Sequence, residues 1–408
     1  MTQWIHVVGL GEDGLEGLSG PLKQLVKSAD VVLGGTRHLQ KLPEGFLKSA
    51  AKTVEWGRNF HDTLAGIETM RGQNVVVLAS GDPMFYGVGT TLLKHFSVND
   101  VKIYPHPGAF SLAASRMGWS LADVETLTVH GRPLAILNRY LFDQARLLIL
   151  SRDGDTPAEV AELLTDAGYG ESRISVFEHM GGNDENRIDG IAKNWDGKKT
   201  ADLNTIAVEL VAARDAVFLS LVPGLADEDF IHDGQISKRE VRAMTLARLA
   251  PRPGELLWDI GSGSGSVAIE WMRAHPSLKA VAIEQNSART ETIAKNASRL
   301  GVPGLEIIHG MAPDCFAKME KDADAIFIGG GLKTGTLLDQ AWQRLRPGGR
   351  LLANAVTVSS QSRLLEFGER HHSEFIRIAI ERSAPIGRFS ALKPLRSVLQ
   401  LVLEKPRP

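Results

Sequence analysis

Short apolar runs alternate with amphipathic stretches through the first half of the chain. Six of these runs have the length of strands and are bounded by Gly, Pro or Asp, and helical patterns such as Leu18 to Ser28 lie between several of them. This alternation predicts a largely parallel sheet covered by helices. The predicted strands are Ile5–Val8, Val31–Leu33, Val75–Leu78, Val124–Val129, Leu147–Leu150 and Ile174–Phe177.

The second half repeats strand and helix with clearer definition, so both halves belong to the α/β class. Near the end, Phe375–Glu381 and Val398–Glu404 follow one another without a helical pattern between them, which predicts an antiparallel pair at the sheet edge. The letters RPGGR at 346–350 predict a turn before a strand. The other predicted strands are Leu256–Ile260, Ala280–Glu284, Leu305–His309, Ala325–Ile328 and Arg350–Ala355.

A change of pattern separates the two halves. Residues 213–236 include VPGLADEDFIHDGQ, which is rich in proline, glycine and acidic residues and suits an exposed connection. A chain of 408 residues is also too long for one ordinary core. We therefore expect a domain at 1–212, a linker at 213–236 and a second domain at 237–408.

Composition and charge narrow the class of protein. The formal net charge is only −2 and no long run of like charges occurs, so we expect neither a nucleic acid nor an anionic membrane as partner. No stretch reaches the roughly 18 apolar residues of a membrane helix, and the amino terminus does not resemble a signal peptide, which predicts a cytoplasmic protein. Cys315 is the only cysteine, so an intrachain disulfide is excluded and no metal site is expected.

The segment LLWDIGSGSGSVAIEWM predicts a strand, a glycine loop and a helix. Glycines allow tight turns that bring backbone N–H groups close to a ligand, and the helix amino terminus favours negative charge. Ser266 stands where a dinucleotide fingerprint requires glycine, which weakens a pyrophosphate-binding interpretation. Asp259 would repel a pyrophosphate but can pair with the ammonium of a methionine moiety. Glu284 ends the next strand, where a carboxylate can accept both ribose hydroxyls.

With these features, residues 227 to 360 resemble the class I methyltransferases, and in particular the precorrin methylases that act at carbon 15 and remove a carboxyl group. The resemblance is carried by DEDFIHDGQISKREVR, DIGSGSGS, IEQN, HGMAP, IGGG and RPGGRLLANAV. It implies a Rossmann-like domain that binds S-adenosylmethionine. The cofactor-binding residues it implies are Ser237, Asp259, Gly261, Ser262, Gly263, Ser264, Gly265, Glu284, Met311 and Ala312.

The first half resembles the two-lobed tetrapyrrole methylases that act at carbon 5. VVGLGEDG, ASGDPMFYGVG, HPGAFSLAAS and VHGRP follow that family's order over about 210 residues. The resemblance implies that Ser80, Gly81 and Asp82 line a cofactor cleft, with Phe110 and Ser111 across from them. Many relatives have proline where Glu12 stands, so Gly9 and Gly11 are as readily explained by a structural turn at the strand end.

Together the halves resemble the fused, decarboxylating C(5,15) precorrin methyltransferases of cobalamin synthesis. The resemblance implies two S-adenosylmethionine molecules per chain, methylation at carbons 5 and 15, loss of the carboxyl group of the carbon 12 acetate, and conversion of precorrin-6Y to precorrin-8X. It also implies a homo-oligomer. The alternatives are a cobalt-containing substrate, or a methyltransferase for another acceptor whose first domain is only a scaffold.

A substrate with many carboxylates requires cations and space. Glycines at 329–331 open room for a bulky macrocycle, and arginine is suited to bidentate carboxylate binding. The alternative for each cation is an ordinary solvated face. The predicted substrate-binding residues are Lys238, Arg242, Gly330, Gly331, Arg388 and Arg396, with Arg239 and Lys393 beside them. No catalytic triad, paired carboxylates or other catalytic residue is identified.

Overall fold

A computed structural model describes residues 3–56, 60–195, 197, 199–333 and 335–408. The chain forms two compact units. Unit 1 consists of Met1–Leu134 and Phe142–Val217, and unit 2 consists of Ala135–Leu141 and Phe218–Pro408. Within the described residues, none of the helices combines the length and apolar character needed to cross a membrane.

The first lobe of unit 1 contains a five-stranded sheet in which every strand pairing is parallel. The strand order is β3-β2-β4-β1-β5. Its strands are β1 (Ile5–Leu10), β2 (Val31–Gly34), β3 (Lys52–Glu55), β4 (Val75–Ser80) and β5 (Val101–Tyr104). Its helices are α1 (Gly20–Lys27), α2 (Thr36–Leu39), α3 (Phe60–Glu68) and α4 (Val88–His95), and α5 (Ala109–Met117) follows.

The second lobe contains a mixed five-stranded sheet in the order β6-β7-β10-β8-β9. Only the pairing of β6 with β7 is parallel, so the sheet departs from the largely parallel arrangement predicted for this half. The elements are β6 (Glu125–Thr128), β7 (Arg146–Leu150), α6 (Thr156–Asp166), β8 (Arg173–Glu178), β9 (Asn186–Ile191) and β10 (Asn204–Glu209).

All six strands predicted for the first half are confirmed, and four others were missed. The missed strands β3 and β9 lie at sheet edges and have mostly exposed, polar residues, so they lack the apolar run that marks a buried strand. β10 is buried at the centre of its sheet, but its sequence begins with Asn204 and Thr205 and ends with Glu209. Hydrophobicity alone does not distinguish such a strand from a loop.

Unit 2 contains a seven-stranded sheet in which β16 (Glu374–Ile378) and β19 (Val398–Glu404) join five other strands, in the order β13-β12-β11-β14-β15-β19-β16. The first five strands are parallel, and β19 runs antiparallel to both β15 and β16, which confirms the predicted antiparallel pair. The turn predicted at 346–350 before a strand is wrong, because these residues already belong to β15. The pairing of β15 with β14 has an irregularity there, with a register shift between Ala323 and Ala325. The parallel strands are β11 (Leu256–Ile260), β12 (Lys279–Glu284), β13 (Glu306–His309), β14 (Ala323–Ile328) and β15 (Leu345–Ala355).

Helices cover the two faces of this sheet. Neighbouring residues of β11 point to opposite faces, so that Trp258 joins one buried cluster and Leu257 the other. A hairpin of two strands without a counterpart in the prediction lies between β16 and β19. The remaining elements are α7 (Arg239–Leu249), α8 (Ser266–Ala274), α9 (Ser287–Arg299), α10 (Leu337–Gln343), α11 (Val358–Arg370), β16 (Glu374–Ile378), β17 (Glu381–Ile386), β18 (Phe389–Pro394) and β19 (Val398–Glu404).

The segment expected to be an exposed linker is exposed only in part. Residues from Phe218 onward belong to unit 2, and Leu225, Asp227 and Phe230 are buried there. The guanidinium of Arg242 lies 4.8 Å from the ring centre of Phe230. The acidic residues of this segment suggested a solvated connection. One of them, Asp227, is instead buried and forms an ion pair with Arg242.

Candidate functional site

The glycine loop of unit 2 connects β11 to α8 in the predicted order. Gly261 and Ser262 donate their backbone N–H groups to the Ile283 carbonyl at 3.0 and 3.1 Å, which fixes the loop above β12. Gly261 has a φ of +69°, and a Cβ atom at that position would lie 2.8 Å from the Gly330 nitrogen. The loop after β11 and the loop after β14 therefore touch backbone to backbone, and only glycine fits this contact.

Glu284 ties the loop to the end of β12. Its Oε2 accepts the N–H of Gly263 at 2.9 Å, and its Oε1 accepts the N–H of Asn286 at 3.0 Å. The side chain is buried, which keeps the carboxylate in one orientation. Each carboxylate oxygen has a second lone pair, so the group that supports the loop can also accept two hydroxyl groups. This geometry fits the predicted ribose contact.

Asp259 lies beneath the loop. Its Oδ2 accepts the hydroxyl of Ser262 at 2.7 Å and the N–H of Ala268 at 3.2 Å, and only 1% of the residue is exposed. Burial raises its pKa to about 6 against those hydrogen bonds, and the charge of Glu284 adds to the rise. Its other oxygen, Oδ1, is buried and has no hydrogen-bond partner among the described residues, so the pairing of Asp259 with a ligand ammonium stays a prediction. Asp259 positions the loop.

The loop opens on a pocket that sequence reasoning had largely missed. Gly263 and Ser264 line it together with residues at the start of α9 and with His232 and Asp233, which precede α7. Arg289 donates to Asp233 at 2.8 Å across this wall, and that hydrogen bond holds the pKa of Asp233 below its usual range. The wall residues not predicted are His232, Asp233, Asn286, Ala288, Arg289 and Thr292.

Two other predicted cofactor residues follow β13. Gly310 donates its N–H to the Glu284 carbonyl at 3.0 Å, so this turn is held at the end of β12. Met311 is 52% exposed and Ala312 is buried. Met311 therefore has an open face suited to an adenine ring, whereas Ala312 offers little side-chain surface. Ser237 is partly buried, and its carbonyl accepts a hydrogen bond from Arg242 at 2.5 Å.

Arg242 is not available to bind substrate, which corrects its predicted role. It is fully buried, and its guanidinium donates to Glu270 at 2.6 Å, to Asp227 at 3.2 Å and to two backbone carbonyls. A guanidinium so fully bonded cannot be exposed to a ligand without leaving two carboxylates unpaired in the interior. Arg242 therefore links the segment before α7, through Asp227, to α8, through Glu270.

The remaining predicted substrate-binding cations are accessible. Lys238 lies 3.8 Å from Asp227, which also accepts from Arg382 of the hairpin at 3.3 Å. Arg388, at the hairpin turn, and Arg396, after β18, are exposed. Gly330 packs against Gly261 while Gly331 is exposed. A second carboxylate, Glu240, also holds Arg382, so the hairpin and α7 are linked by ion pairs that sequence spacing does not reveal.

In unit 1, the turn after β4 packs against the turn after β5. Gly81 has a φ of +53°, and a Cβ atom there would lie 2.7 Å from the Gly108 Cα. Asp82 accepts the N–H of Met84 at 2.9 Å, which closes the turn. A Cβ atom on Gly9 would overlap the Gly81 carbonyl oxygen, so close packing at the strand end explains this glycine.

Phe110 is a core residue, which corrects the expectation that it lines a cleft. It is 4% exposed, and its ring centre lies 5.3 Å from that of Phe85 and 6.1 Å from that of Tyr86. Those two rings are about half exposed and form the accessible aromatic surface beside Asp82. Ser111, one residue further along α5, is exposed.

Ser80 has partners that the sequence did not suggest. Its hydroxyl accepts a hydrogen bond from Arg37 at 2.9 Å and lies 2.8 Å from Nε2 of His38. Glu12 forms ion pairs with Lys41 at 3.1 Å and Arg37 at 3.6 Å. The residues that contact Ser80 and Glu12 belong to the run TRHLQK after β2. In the sequence this run looks like any polar start of a helix, so it did not indicate these contacts.

A parallel sheet with a glycine loop and an acidic residue at the end of the neighbouring strand defines unit 2 as a class I methyltransferase fold. Comparison with known families agrees: residues 228–405 match the precorrin methyltransferase domain, and residues 5–194 match the tetrapyrrole (corrin/porphyrin) methylases.

One similar protein extends this agreement over nearly the whole chain, and others match one half of it. A precorrin-6Y C(5,15)-methyltransferase (decarboxylating) of a Sinorhizobium species is 44% identical over 400 residues, 98% of this chain and 96% of that protein. A cobalt-precorrin-7 C(5)-methyltransferase of Salmonella typhimurium is 28% identical over 176 residues, 43% of this chain and 85% of that protein. The crystal structure of the C-terminal domain of the Rhodobacter capsulatus precorrin-6Y C5,15-methyltransferase, 43% identical, covers 46% of this chain and 100% of that one with a TM-score of 0.43. The chain belongs to the family of precorrin-6Y C(5,15)-methyltransferases (decarboxylating).

Proposed function

We propose that this protein transfers methyl groups from S-adenosylmethionine to carbons 5 and 15 of a precorrin and releases the carboxyl group of the carbon 12 acetate, converting precorrin-6Y to precorrin-8X. The observation that carries the proposal is the double role of Glu284, which holds the glycine loop through Gly263 and has lone pairs left for ribose hydroxyls. The near full-length similarity to a relative of this name supports the substrate.

We assign carbon 5 methylation to residues 1–212, a linker to 213–236, and carbon 15 methylation with decarboxylation to residues 237–408. Two separate family matches, at residues 5–194 and at residues 228–405, support one activity in each half; the second match begins inside the proposed linker, whose residues from Phe218 onward belong to unit 2. The relative named for carbon 5 alone aligns with less than half of the chain, which supports separable activities. Each half is proposed to bind one S-adenosylmethionine.

The chemistry requires few reactive side chains. S-adenosylmethionine supplies a methyl group already activated on a sulfonium. The reduced macrocycle is already nucleophilic at its meso carbons. The chain therefore contributes by orienting the two reactants, and this positioning supplies much of the rate. Methylation at carbon 15 leaves a conjugated iminium. As carbon dioxide departs from the carbon 12 acetate, the electron pair of the broken C–C bond enters that iminium, so the substrate is its own electron sink.

Mass spectrometry of the product tests this proposal. The whole chain is incubated with precorrin-6Y and S-adenosylmethionine bearing deuterated methyl groups, and the tetrapyrrole is expected to gain two labelled methyl groups and lose one carbon dioxide. Equilibrium dialysis is expected to show two cofactors per chain. An unchanged tetrapyrrole mass with bound cofactor would contradict the precorrin assignment, and one cofactor per chain would indicate that one half is a scaffold.

We infer that the protein self-associates through the β17–β18 hairpin. The two strands pair only with each other among the described residues, and an isolated two-stranded hairpin is marginal in water. Its apolar side chains Ile386, Phe389 and Leu392 are each more than 60% exposed. An exposed apolar patch of this kind is typical of a protein interface, and a second copy of the chain supplies a matching hairpin.

Replacing Phe389 and Leu392 by serine is therefore expected to convert the oligomer to monomer at micromolar concentration. The matched control replaces Val358 and Leu365, exposed apolar residues of α11, by serine. Sedimentation velocity measures the outcome. A monomeric unsubstituted chain, or an oligomer that survives the hairpin substitutions, would contradict the inference.

A further inference from the structure

Five polar residues lie together at the carboxyl ends of three neighbouring strands of unit 1. Glu12 follows β1, the residues Arg37, His38 and Lys41 follow β2, and Ser80 ends β4. These strands are adjacent in the sheet in the order β2-β4-β1. Open α/β sheets bind ligands beyond the carboxyl ends of their strands. We call these residues the Glu12 cluster.

Positive charge exceeds negative charge within the Glu12 cluster. Lys41 and Arg37 both approach Oε1 of Glu12, and His179 lies 3.7 Å from its other oxygen. Burial opposes ionisation of Glu12, but the hydrogen bond from Lys41 and the two positive charges lower its pKa overall. One ionised carboxylate therefore faces two permanent cations.

The cluster holds its arginine in a fixed and accessible position. Arg37 donates Nη2 to the Ser80 hydroxyl at 2.9 Å, while 40% of its side chain is exposed. His38 contacts the same hydroxyl at 2.8 Å. Burial and the charges of Arg37 and Lys41 lower the pKa of His38 to about 4, so at neutral pH the imidazole is uncharged and orients Ser80 without repelling Arg37.

We propose that the Glu12 cluster is a carboxylate-binding subsite for the tetrapyrrole during carbon 5 methylation, with Glu12 standing in for a substrate carboxylate until substrate binds. This inference rests on the proposed function, whose macrocycle bears many carboxylates. A carboxylate of the substrate pairs with Arg37 and Lys41, since a guanidinium can bind it through two parallel N–H groups. Ser80 directly precedes Gly81 and Asp82, so the subsite adjoins the predicted cofactor cleft.

The first test replaces Arg37 by alanine and measures steady-state carbon 5 methylation with the full chain. Loss of a charge-assisted hydrogen bond contributes about 1.5–3 kcal/mol, so KM for the tetrapyrrole is expected to rise about tenfold to hundredfold. The affinity for S-adenosylmethionine is expected to stay the same. The matched control is Arg71→Ala, which removes an exposed, ion-paired arginine before the amino end of β4.

The second test is Glu12→Gln, which distinguishes a binding subsite from a structural ion cluster. If Glu12 competes with substrate carboxylates, its neutralisation lowers KM below that of the unsubstituted chain; a structural cluster would lose stability without a gain in affinity. Equal KM values for Arg37→Ala and Arg71→Ala, or a raised KM for Glu12→Gln, would overturn the proposal. If the unsubstituted chain does not methylate carbon 5, the proposed function fails instead. Quenching of protein fluorescence by uroporphyrin, compared with its methyl ester, then tests the subsite in the same variants.

Discussion

Gly261→Val is expected to weaken S-adenosylmethionine binding at the unit 2 site by about a hundredfold or more. A β-branched residue is strained at a φ of +69°, and its Cβ would lie 2.8 Å from the backbone nitrogen of Gly330. Relief of this contact separates the loops after β11 and β14, both of which border the site. About 3 kcal/mol of lost binding free energy corresponds to the hundredfold change, and isothermal titration calorimetry measures it.

Gly304→Val is the matched control, because Gly304 precedes β13 with no atom within 4 Å of an added Cβ and with no left-handed φ. Its affinity is expected to equal that of the unsubstituted chain. The thermal midpoint of each variant shows whether the unit remains folded. Unchanged affinity in a folded Gly261→Val protein would remove the glycine loop from the binding site.

Glu284→Ala is expected to have a similarly large effect, for a different reason. The substitution removes the acceptor for two proposed ribose hydroxyls and for the N–H groups of Gly263 and Asn286. Hydrogen bonds to a charged group are worth about 1.5–3 kcal/mol each, so the dissociation constant is expected to rise at least about a hundredfold. Glu306→Ala on the neighbouring strand β13 removes an exposed carboxylate as a control.

A cofactor analogue without ribose hydroxyls separates binding from loop support. The unsubstituted chain is expected to discriminate strongly against this analogue, whereas the Glu284→Ala variant is expected to bind it no more weakly than S-adenosylmethionine. If the variant continues to discriminate between the two ligands, another group accepts the hydroxyls and Glu284 has only a structural role.

The sequence predicted the elements whose structure depends on local pattern. Buried strands such as β11 and β12 are apolar runs bounded by turn residues, and the glycine loop requires glycine at Gly261 for a reason visible in the backbone alone. The mixed sheet of the second lobe depends on pairings between distant segments. β10, for example, joins β7 to β8, and no local pattern in its own sequence indicates those partners.

The roles of individual polar residues were harder to predict, because they depend on partners far along the chain. Arg242 shares the buried stripe of α7 with Thr245, Leu246 and Leu249, a helical spacing that was a signal for burial. Its carboxylate partners come from segments 15 and 28 residues away. The charge of Arg242 suggested a contact with substrate, but in the fold this residue forms ion pairs in the protein interior.

Burial decided the role of Phe110, whose motif suggested direct contact with a ligand and whose side chain faces the interior. Asp259 and Glu284 are buried as well, so burial alone does not choose between them: Oδ1 of Asp259 has no hydrogen-bond partner among the described residues, and both oxygens of Glu284 accept backbone N–H groups. The rings of Phe85 and Tyr86, which belong to a different motif of unit 1, form the accessible aromatic surface near Phe110. A motif therefore located each candidate site, but side-chain orientation was needed to choose among its residues.

The measurement that tests the central claim most directly is the product mass for two variants, each strained at one loop. Gly81→Val places a β-branched residue at a φ of +53° in unit 1, and Gly261→Val does the same in unit 2. The Gly81→Val protein is expected to add one methyl group to precorrin-6Y and release carbon dioxide, while Gly261→Val releases none. Carbon dioxide release that persists in Gly261→Val and is lost in Gly81→Val would contradict the assignment of one reaction to each half.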